Sequence, residues 1–226
     1  MDYKEYFCYR SHEETLALQK FLSSKVILED RFPYPIKYIG GVDTSFSHKR
    51  LLSVIIVCDF ESLKICDISY SFTNETFPYV PGFLSFREGP SIIEAWKKLN
   101  IKPDILIFDG QGIAHPRGLG IASHVGVVLD IPSIGCAKKP LVGNYKEPGE
   151  KRGDSEPIYC NNEVIGVAIR TKDKVKPVFV SSGHRVSLES AINIILKVTL
   201  NFRLPEPTRL AHIYSKRGWS DFKEEG

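Results

Sequence analysis

Three consecutive strand-like segments joined by very short connections restrict the fold of this chain more than any other feature. The segments cover residues 38–46, 51–60 and 63–72, and all three are rich in β-branched and aromatic residues. Only the sequences SHKR and ES separate them. Because connections this short join neighbouring strands that run in opposite directions, we predict an antiparallel meander.

An alternation of helices and buried strands follows the meander. We predict helices over 91–99 and 122–130, each followed by a strand, over 104–110 and 132–138. The run ILIF in the first of these strands is continuously apolar, which is typical of a parallel strand covered on both faces. This order is that of a ribonuclease H-like core, so we predict a single-domain α/β fold in which helices flank a mixed sheet.

The two ends of the chain complete the expected domain. Ser11 and Glu14 form a capping box that starts a helix ending near Lys25. The C-terminal part is predicted to add two strands and then two helices, over 163–172, 177–183, 187–198 and 209–216. We expect one catalytic domain over residues 1–226, with a loose tail after about residue 216.

Composition is typical of a globular domain and gives no sign of a membrane span. With 226 residues, 42% of them hydrophobic, the chain can bury a full core. The net charge of +3 permits a polyanionic partner without requiring one. The N-terminus is charged, and the longest apolar run, 54–58, is too short to span a bilayer. The five cysteines form no CxxC pair, and Cys58 and Cys136 lie in apolar strand-like runs, so we read these two as buried free thiols and expect a reducing, cytoplasmic compartment. We also expect a monomer without membrane contact.

Three carboxylates occur where the predicted topology brings chain segments together. Asp43 interrupts the apolar strand IGGVDTSF, Asp109 ends the run ILIF, and Glu88 precedes the predicted helix at 91–99. Taken singly, each of these carboxylates is better read as a turn or cap residue. However, the first and fourth strands lie side by side in this fold, so the carboxylates are expected to converge, and a bound cation would offset their costly desolvation.

The ligand set indicates which cation this would be. Oxygen ligands select a hard ion such as Mg²⁺, with Mn²⁺ as a substitute, over zinc. His115 and His124 are nine positions apart, outside the usual spacing of zinc ligands. A Mg²⁺ ion held by carboxylates is typical equipment for phosphodiester hydrolysis.

The segment PYVPGFLSFREGP, residues 78–90, is predicted to be a stiff loop. Pro78 and Pro81 fix their own φ angles and restrict the residue before each. Tyr79 stands between them, either on a rigid projection or packed into the domain core. The sequence alone leaves both placements open.

Five segments of the chain resemble the endonuclease V family, the deoxyinosine 3′-endonucleases. They occur in the family order between residues 40 and 214, and they read GVDTSF, FPYVPGFLSFREGP, FDGQGIAHPRGLGIASH, PSIGCAKKPL and PEPTRLAHIY. The resemblance implies a Mg²⁺-dependent nuclease that incises the second phosphodiester bond 3′ to hypoxanthine. It leaves a 3′-hydroxyl and a 5′-phosphate in double- or single-stranded DNA.

The resemblance also assigns roles to single residues. It implies that Asp43 and Asp109 bind the metal, that Glu88 completes the acidic cluster, and that Lys138 and His212 are catalytic. Tyr79 matches the aromatic residue of the family's DNA-opening wedge, which here comprises Pro78, Tyr79, Val80 and Pro81. Val80 stands where isoleucine is commoner in the family.

A glycine-rich stretch around Asp109 suggests how a flipped base is read. Glycine allows the backbone to approach a ligand closely, so main-chain groups can read the base edge. Hypoxanthine presents O6 as an acceptor and N1–H as a donor, whereas adenine presents the opposite pattern. The expected walls of this base pocket are Gly82, Leu84, Gly110, Gly120, Ile121 and Leu141. A plain glycine-rich turn is the alternative interpretation.

Three other functions fit part of the pattern. An inosine-specific ribonuclease would act on inosine-containing RNA through the same groups. A sensor of deaminated bases would bind without cutting, although clustered negative charge opposes phosphate binding. A glycosidase would use two carboxylates and no metal.

Overall fold

Eight strands form one mixed sheet in the computed structural model, which describes residues 3–221. In chain order the strands are β1 Tyr38–Ser47, β2 Arg50–Asp59, β3 Ile65–Asn74, β4 Ile105–Phe108, β5 Ser133–Ala137, β6 Ser155–Cys160, β7 Glu163–Ile169 and β8 Val178–His184. The helices are α1 His12–Ser23, α2 Leu84–Lys98, α3 Ile121–Leu129, α4 Leu188–Lys197 and α5 Glu206–Asp221, and a 3-10 turn covers Tyr3–Phe7. The predicted single-domain α/β fold is confirmed.

The sheet order is β3-β2-β1-β4-β5-β8-β7-β6. β1, β2 and β3 form the predicted antiparallel meander. β4 runs parallel to both β1 and β5, as the buried apolar run predicted. The ends of β1 and β4 therefore point in the same direction at the centre of the sheet.

Each face of the sheet carries its own core. One core packs under α4 and α5 and includes Ile39 and Leu52 from the sheet, with Ala211 from α5. The other packs under α1, α2 and α3 and includes Val42 and Phe108. Because side chains alternate along a strand, β1 contributes to both cores in turn.

Helix α2 begins earlier than the sequence predicted. It starts at Leu84 and continues through Pro90, so the prediction of a stiff loop is wrong for residues 84–90. An internal proline costs a helix about 3 kcal/mol. Here the helix buries Phe86 and Ile92 against the sheet, and this packing outweighs the penalty. As a consequence Glu88 lies inside α2 rather than ahead of it.

Strand β6 was not predicted from the sequence. This strand lies at the edge of the sheet, so Pro157 removes no hydrogen bond that a central strand would need. Asn161 and Asn162 link it to β7 with φ angles of 51° and 66°, as a two-residue hairpin turn requires. The Asn-Asn pair was the signal in the sequence for this hairpin.

Helix α5 is also longer than predicted. It continues to Asp221 instead of ending at residue 216, and the Trp219 indole N–H donates to Ser45 Oγ at 2.7 Å. The expectation of a loose chain after about residue 216 is therefore wrong for 217–221. Residues 222–226 of that expected tail lie outside the described residues.

Helix α5 packs directly along β1. Gly41, Asp43 and Ser45 share one face of the strand because side chains alternate. A Cβ at Gly41 would lie 2.1 Å from the Pro207 carbonyl carbon, so only glycine permits this approach. The helix thereby comes close enough to contact Asp43.

Within residues 3–221, every helix is too short or too polar to cross a membrane. The five cysteines are all free, and Cys58 and Cys136 are buried as predicted.

Two buried histidines predict how stability depends on pH. Burial lowers the pKa of His124 from 6.5 to about 3, and burial together with the nearby Arg117 lowers the pKa of His115 to about 4. Below pH 6.5 these two histidines therefore bind protons in the unfolded chain but remain neutral in the folded chain until the pH is much lower. Unfolding free energy should fall as pH drops from 6.5 to 4, by up to about 1.4 kcal/mol per pH unit for each histidine.

Urea unfolding at several pH values measures this slope. His124→Phe should reduce the slope, because it removes a titrating ring that packs between Phe7 and Phe86. His12→Phe, at an exposed position, is the matched control and should leave it unchanged. An unchanged slope in the His124 variant would contradict the prediction.

Candidate active site

The parallel pairing of β1 and β4 brings two aspartates together. Val42 and Phe108 are paired in register, so Asp43 and Asp109 follow them side by side. His212 of α5 joins them, and one ligand atom from each of the three lies within 4.8 Å of the others. The predicted convergence of Asp43 with Asp109 is thus seen in the structure.

Glu88 reaches the same place from the opposite face of the sheet. It lines a cavity of about 160 Å³ together with Asp43 and Asp109, although it is not one of the group of three with His212. Burial, followed by the charges of Asp43 and Asp109, raises the pKa of Glu88 to about 8, while Arg87 opposes the shift. Repulsion of this kind is relieved either by a proton on one of the carboxyl groups or by a cation between them.

The donors around this cavity fit a hard divalent cation. Asp43, Asp109 and Glu88 offer carboxylate oxygens, and His212 adds one imidazole nitrogen. Such a set suits Mg²⁺ or Mn²⁺. The described residues hold no other group of three or more histidine, cysteine or acidic side chains close enough for a metal.

Lys138 lies beside the acidic cluster. Its ammonium group forms an ion pair with Asp109 Oδ2. The Arg203 guanidinium donates to the Lys138 carbonyl at 2.8 Å and so fixes the end of β5. Sequence reasoning identified Lys138 but missed Arg203, which comes from the segment between α4 and α5.

Asp43 is held by two side chains of α5. His212 Nδ1 lies 3.4 Å from the carboxylate, and the fully buried Ser215 donates its hydroxyl to Asp43 Oδ2. Ser215 was missed by sequence reasoning. The only signal was its position one helical turn after His212, which places both side chains on one face of a helix.

The proline-rich loop presents Tyr79 to solvent. Its side chain is 59% exposed, so the alternative that it packs in the core is wrong. Beside it, the Phe83 N–H donates to the Val80 carbonyl at 2.9 Å, and Gly82 has a φ angle of +81°. These features define a type II turn with Pro81 and Gly82 at its centre. Pro78 and Pro81 are also exposed.

The root of this loop is tied to two other parts of the chain. The Gly82 carbonyl accepts hydrogen bonds from Gln19 Nε2 at 2.9 Å and Arg117 Nη2 at 2.6 Å. His115 Nε2 lies 3.2 Å from the same oxygen, and its Nδ1 accepts from the Arg117 N–H, so Nε2 carries the proton. Gln19 and Arg117 were not predicted as site residues. Their contacts depend on how α1 packs, which local sequence does not reveal.

A second cavity, of about 220 Å³, lies beside the acidic one. All six residues expected in a base pocket line it, namely Gly82, Leu84, Gly110, Gly120, Ile121 and Leu141. Tyr79, Gln111 and Lys139 line it as well. Leu84 and Ile121 also border the acidic cavity, so these two side chains separate the two cavities.

Two helices begin beside the larger of these two cavities. α2 begins at Leu84 and α3 at Ile121, and the first N–H groups of any helix lack partners within it. The loop before α3 is held by a hydrogen bond from the Gly120 N–H to the Gly112 carbonyl at 2.8 Å. A Cβ at Gly120 would lie 2.3 Å from the Gln111 carbonyl oxygen, so glycine is required there.

Comparison with known proteins identifies one family. The family model described as endonuclease V matches residues 20–213. An endonuclease V of Dictyoglomus thermophilum is 60% identical over 218 residues, covering 96% of this chain and 95% of that protein.

Solved structures agree. The crystal structure of endonuclease V from Bacillus subtilis superposes with a TM-score of 0.92 at 32% identity and covers 97% of each chain. Endonuclease V of Ciona intestinalis, in complex with a 24mer DNA containing an inosine followed by a ribo-adenosine, has a TM-score of 0.80 at 28% identity. That match covers 93% of this chain and 98% of the Ciona chain.

Proposed function

The chain belongs to the endonuclease V family and is a nuclease, and from this premise we propose that it repairs DNA containing deoxyinosine. In this proposal it hydrolyses the second phosphodiester bond 3′ to hypoxanthine with Mg²⁺, and leaves a 3′-hydroxyl and a 5′-phosphate. The observation that carries the proposal is the pair of adjoining cavities, one lined by main chain and one by carboxylates. A flipped base and the backbone beside it can occupy both at once.

Asp43, Asp109 and Glu88 are the proposed holders of Mg²⁺, for which Mn²⁺ can substitute. Bound there, Mg²⁺ would stabilise negative charge on the phosphate and on the leaving 3′ oxygen. The raised pKa of Glu88 supports this assignment, because a cation would offset the repulsion among the three carboxylates.

Lys138 and His212 are the proposed catalytic partners of this cluster. The Lys138 ammonium, which pairs with Asp109, carries a positive charge that can contact the reacting phosphate. His212 is partly exposed and its ring borders Asp43, so it can orient the attacking water and accept its proton. In this proposal Lys138 acts on the phosphate and His212 acts on the attacking water of the same hydrolysis step.

The larger cavity is the proposed reader of the flipped base. The N–H groups at the starts of α2 and α3 can donate to O6 of hypoxanthine. Adenine carries an amino group at that position and would face these donors with another donor. Tyr79, with Pro78, Val80 and Pro81, is the proposed wedge that fills the space the base leaves.

Base selectivity should follow the pattern of hydrogen-bond donors and acceptors at O6 and N1 of the base. We expect incision to fall in the order hypoxanthine, guanine-like analogues, adenine, at equal flanking sequence. 2-Aminopurine lacks O6 and so offers no acceptor to the helix-start donors. Incision rates on otherwise identical labelled strands measure the order. Cutting of 2-aminopurine as fast as hypoxanthine would contradict reading of O6 by the main chain.

We propose that the chain acts on DNA as a monomer in the cytoplasm. One chain carries both cavities and Tyr79, so catalysis needs no second copy. Its five free cysteines suit a reducing compartment. Inosine-containing RNA is the alternative substrate, and a side-by-side assay of matched DNA and RNA strands separates the two.

Metal dependence provides the direct test of this function. With Mg²⁺ the protein should nick a labelled duplex at the second bond 3′ to inosine, and EDTA should abolish nicking. Calcium should support binding without cleavage, because it is larger and imposes looser geometry than Mg²⁺. Nicking in EDTA, efficient turnover in calcium alone, or incision at another bond would contradict the proposal.

A further inference from the structure

A line of hydrogen bonds connects the far part of α5 to Asp43. The Trp219 indole N–H donates to Ser45 Oγ at 2.7 Å, and Ser45 Oγ donates to the Ser215 carbonyl at 2.9 Å. Ser215 then donates its hydroxyl to Asp43 Oδ2. Ser215 and Trp219 both lie beyond residue 213, where the match to the family model ends.

The proton on each hydroxyl has a defined direction. An indole N–H can only donate, so Ser45 Oγ accepts from Trp219 and its own proton is left for the Ser215 carbonyl. Ser215 Oγ has two acceptors, Asp43 Oδ2 and the His212 carbonyl at 3.0 Å, but only one proton. The carboxylate is charged and is the stronger acceptor, so the proton points at Asp43.

The hydrogen bond from Ser215 restricts the orientation of the Asp43 carboxylate. A carboxylate has about four lone-pair sites, and Ser215 occupies one of them on Oδ2. Ser215 is fully buried and Asp43 is only 8% exposed, so water does not compete for the bond. The carboxylate therefore cannot rotate freely, and it is held beside the cavity that it shares with Asp109 and Glu88, with the lone pairs that neither Ser215 nor His212 engages left for a ligand.

We propose that Ser215 is a positioning residue for the metal site, acting by fixing the carboxylate of Asp43 for cation binding. The inference rests on the proposed role of Asp43 as a metal ligand. Hydrogen bonds to ligating carboxylates typically contribute 10- to 100-fold, by order of magnitude, to metal affinity or activity. Ser215 thus determines how tightly the site holds its ion rather than how the reaction proceeds once the ion is bound.

Ser215→Ala tests the proposal with Mn²⁺ alone, without DNA. Mn²⁺ affinity, measured from the free-ion resonance signal, should fall about 10- to 100-fold. The Mg²⁺ concentration that half-saturates nicking should rise by a similar factor, while the rate at saturating Mg²⁺ stays within about three-fold. Ser215→Thr keeps the hydroxyl and should restore much of the lost affinity.

Ser45→Ala is the matched control. It removes the anchor for Trp219 and the Ser215 carbonyl but makes no contact with Asp43 in this line of bonds. It should lower the melting temperature and leave Mn²⁺ affinity nearly unchanged. Equal losses of affinity in the Ser45 and Ser215 variants would mean that docking of α5 is responsible, and would overturn the proposal.

Asp43→Asn separates this inference from the proposed function. If Asp43→Asn abolishes Mn²⁺ binding while Ser215→Ala has no effect, only the role of Ser215 is wrong. If Asp43→Asn leaves Mn²⁺ binding intact, the assignment of the metal site itself fails.

Discussion

An Asp43→Asn or Asp109→Asn variant is expected to cut inosine-containing DNA at least about 10³-fold more slowly than the parent chain. The amide keeps the size of the side chain, and at position 43 it can still accept from Ser215. It loses the negative charge that is proposed to hold a divalent cation, and a catalytic metal contributes several kcal/mol to transition-state stabilisation. Neither residue lines the larger cavity, so lesion binding should remain largely intact.

Single-turnover nicking and a gel-shift assay with the same duplex measure the two quantities separately. Asp173→Asn is the matched control, because Asp173 only caps the Arg152 N–H at an exposed position. It should cut at the normal rate. Near-normal cutting by either the Asp43 or the Asp109 variant would refute the metal site.

Tyr79→Ala should weaken both binding and incision of duplex DNA about 5- to 150-fold, because stacking of a base on an aromatic ring is worth about 1–3 kcal/mol. Single-stranded DNA has no partner base and little stacking to replace, so the same change should cost much less there. Tyr79→Phe should be mild on both substrates, since the ring and not the hydroxyl carries the effect. The side chain is 59% exposed, so the melting temperature should barely change.

Tyr34→Ala is the control for this experiment. Tyr34 is 93% exposed and also precedes a proline, but it does not line the larger cavity. It should leave both substrates unaffected. Equal losses on duplex and single strand in the Tyr79 variant, with a clearly lower melting temperature, would instead indicate a structural tyrosine.

Local patterns in the sequence predicted most of the fold. Strand-like composition with short connections was sufficient for β1 to β3, and buried apolar runs were sufficient for β4 and β5, because these features act within single strands and turns. Prediction failed where contacts between distant segments decide the outcome. Burial of Phe86 carries α2 through Pro90, and the contact between Trp219 and Ser45 extends α5 to Asp221.

The residues of the candidate site fall into the same two groups, those predicted from local sequence and those that depend on contacts between distant segments. The pairing of Asp43 with Asp109 follows from parallel neighbouring strands, so topology alone predicted it. Ser215, Arg203 and Gln19 make their contacts across 172, 65 and 63 residues of chain respectively. Apart from the helical spacing of Ser215 from His212, periodicity and spacing carry no information about such contacts, because they depend on how distant segments pack.

The position of α5 on β1 determines when the cluster around Asp43 can be completed during synthesis of the chain. His212 follows Asp43 by 169 residues, so the ribosome has made the whole sheet before the last partner of Asp43 emerges. A nascent chain with a formed sheet still lacks His212 and the hydroxyl that holds Asp43. Since α5 completes the cluster by docking on β1, an unfinished molecule, or one whose last helix has detached, lacks both α5 side chains that contact Asp43.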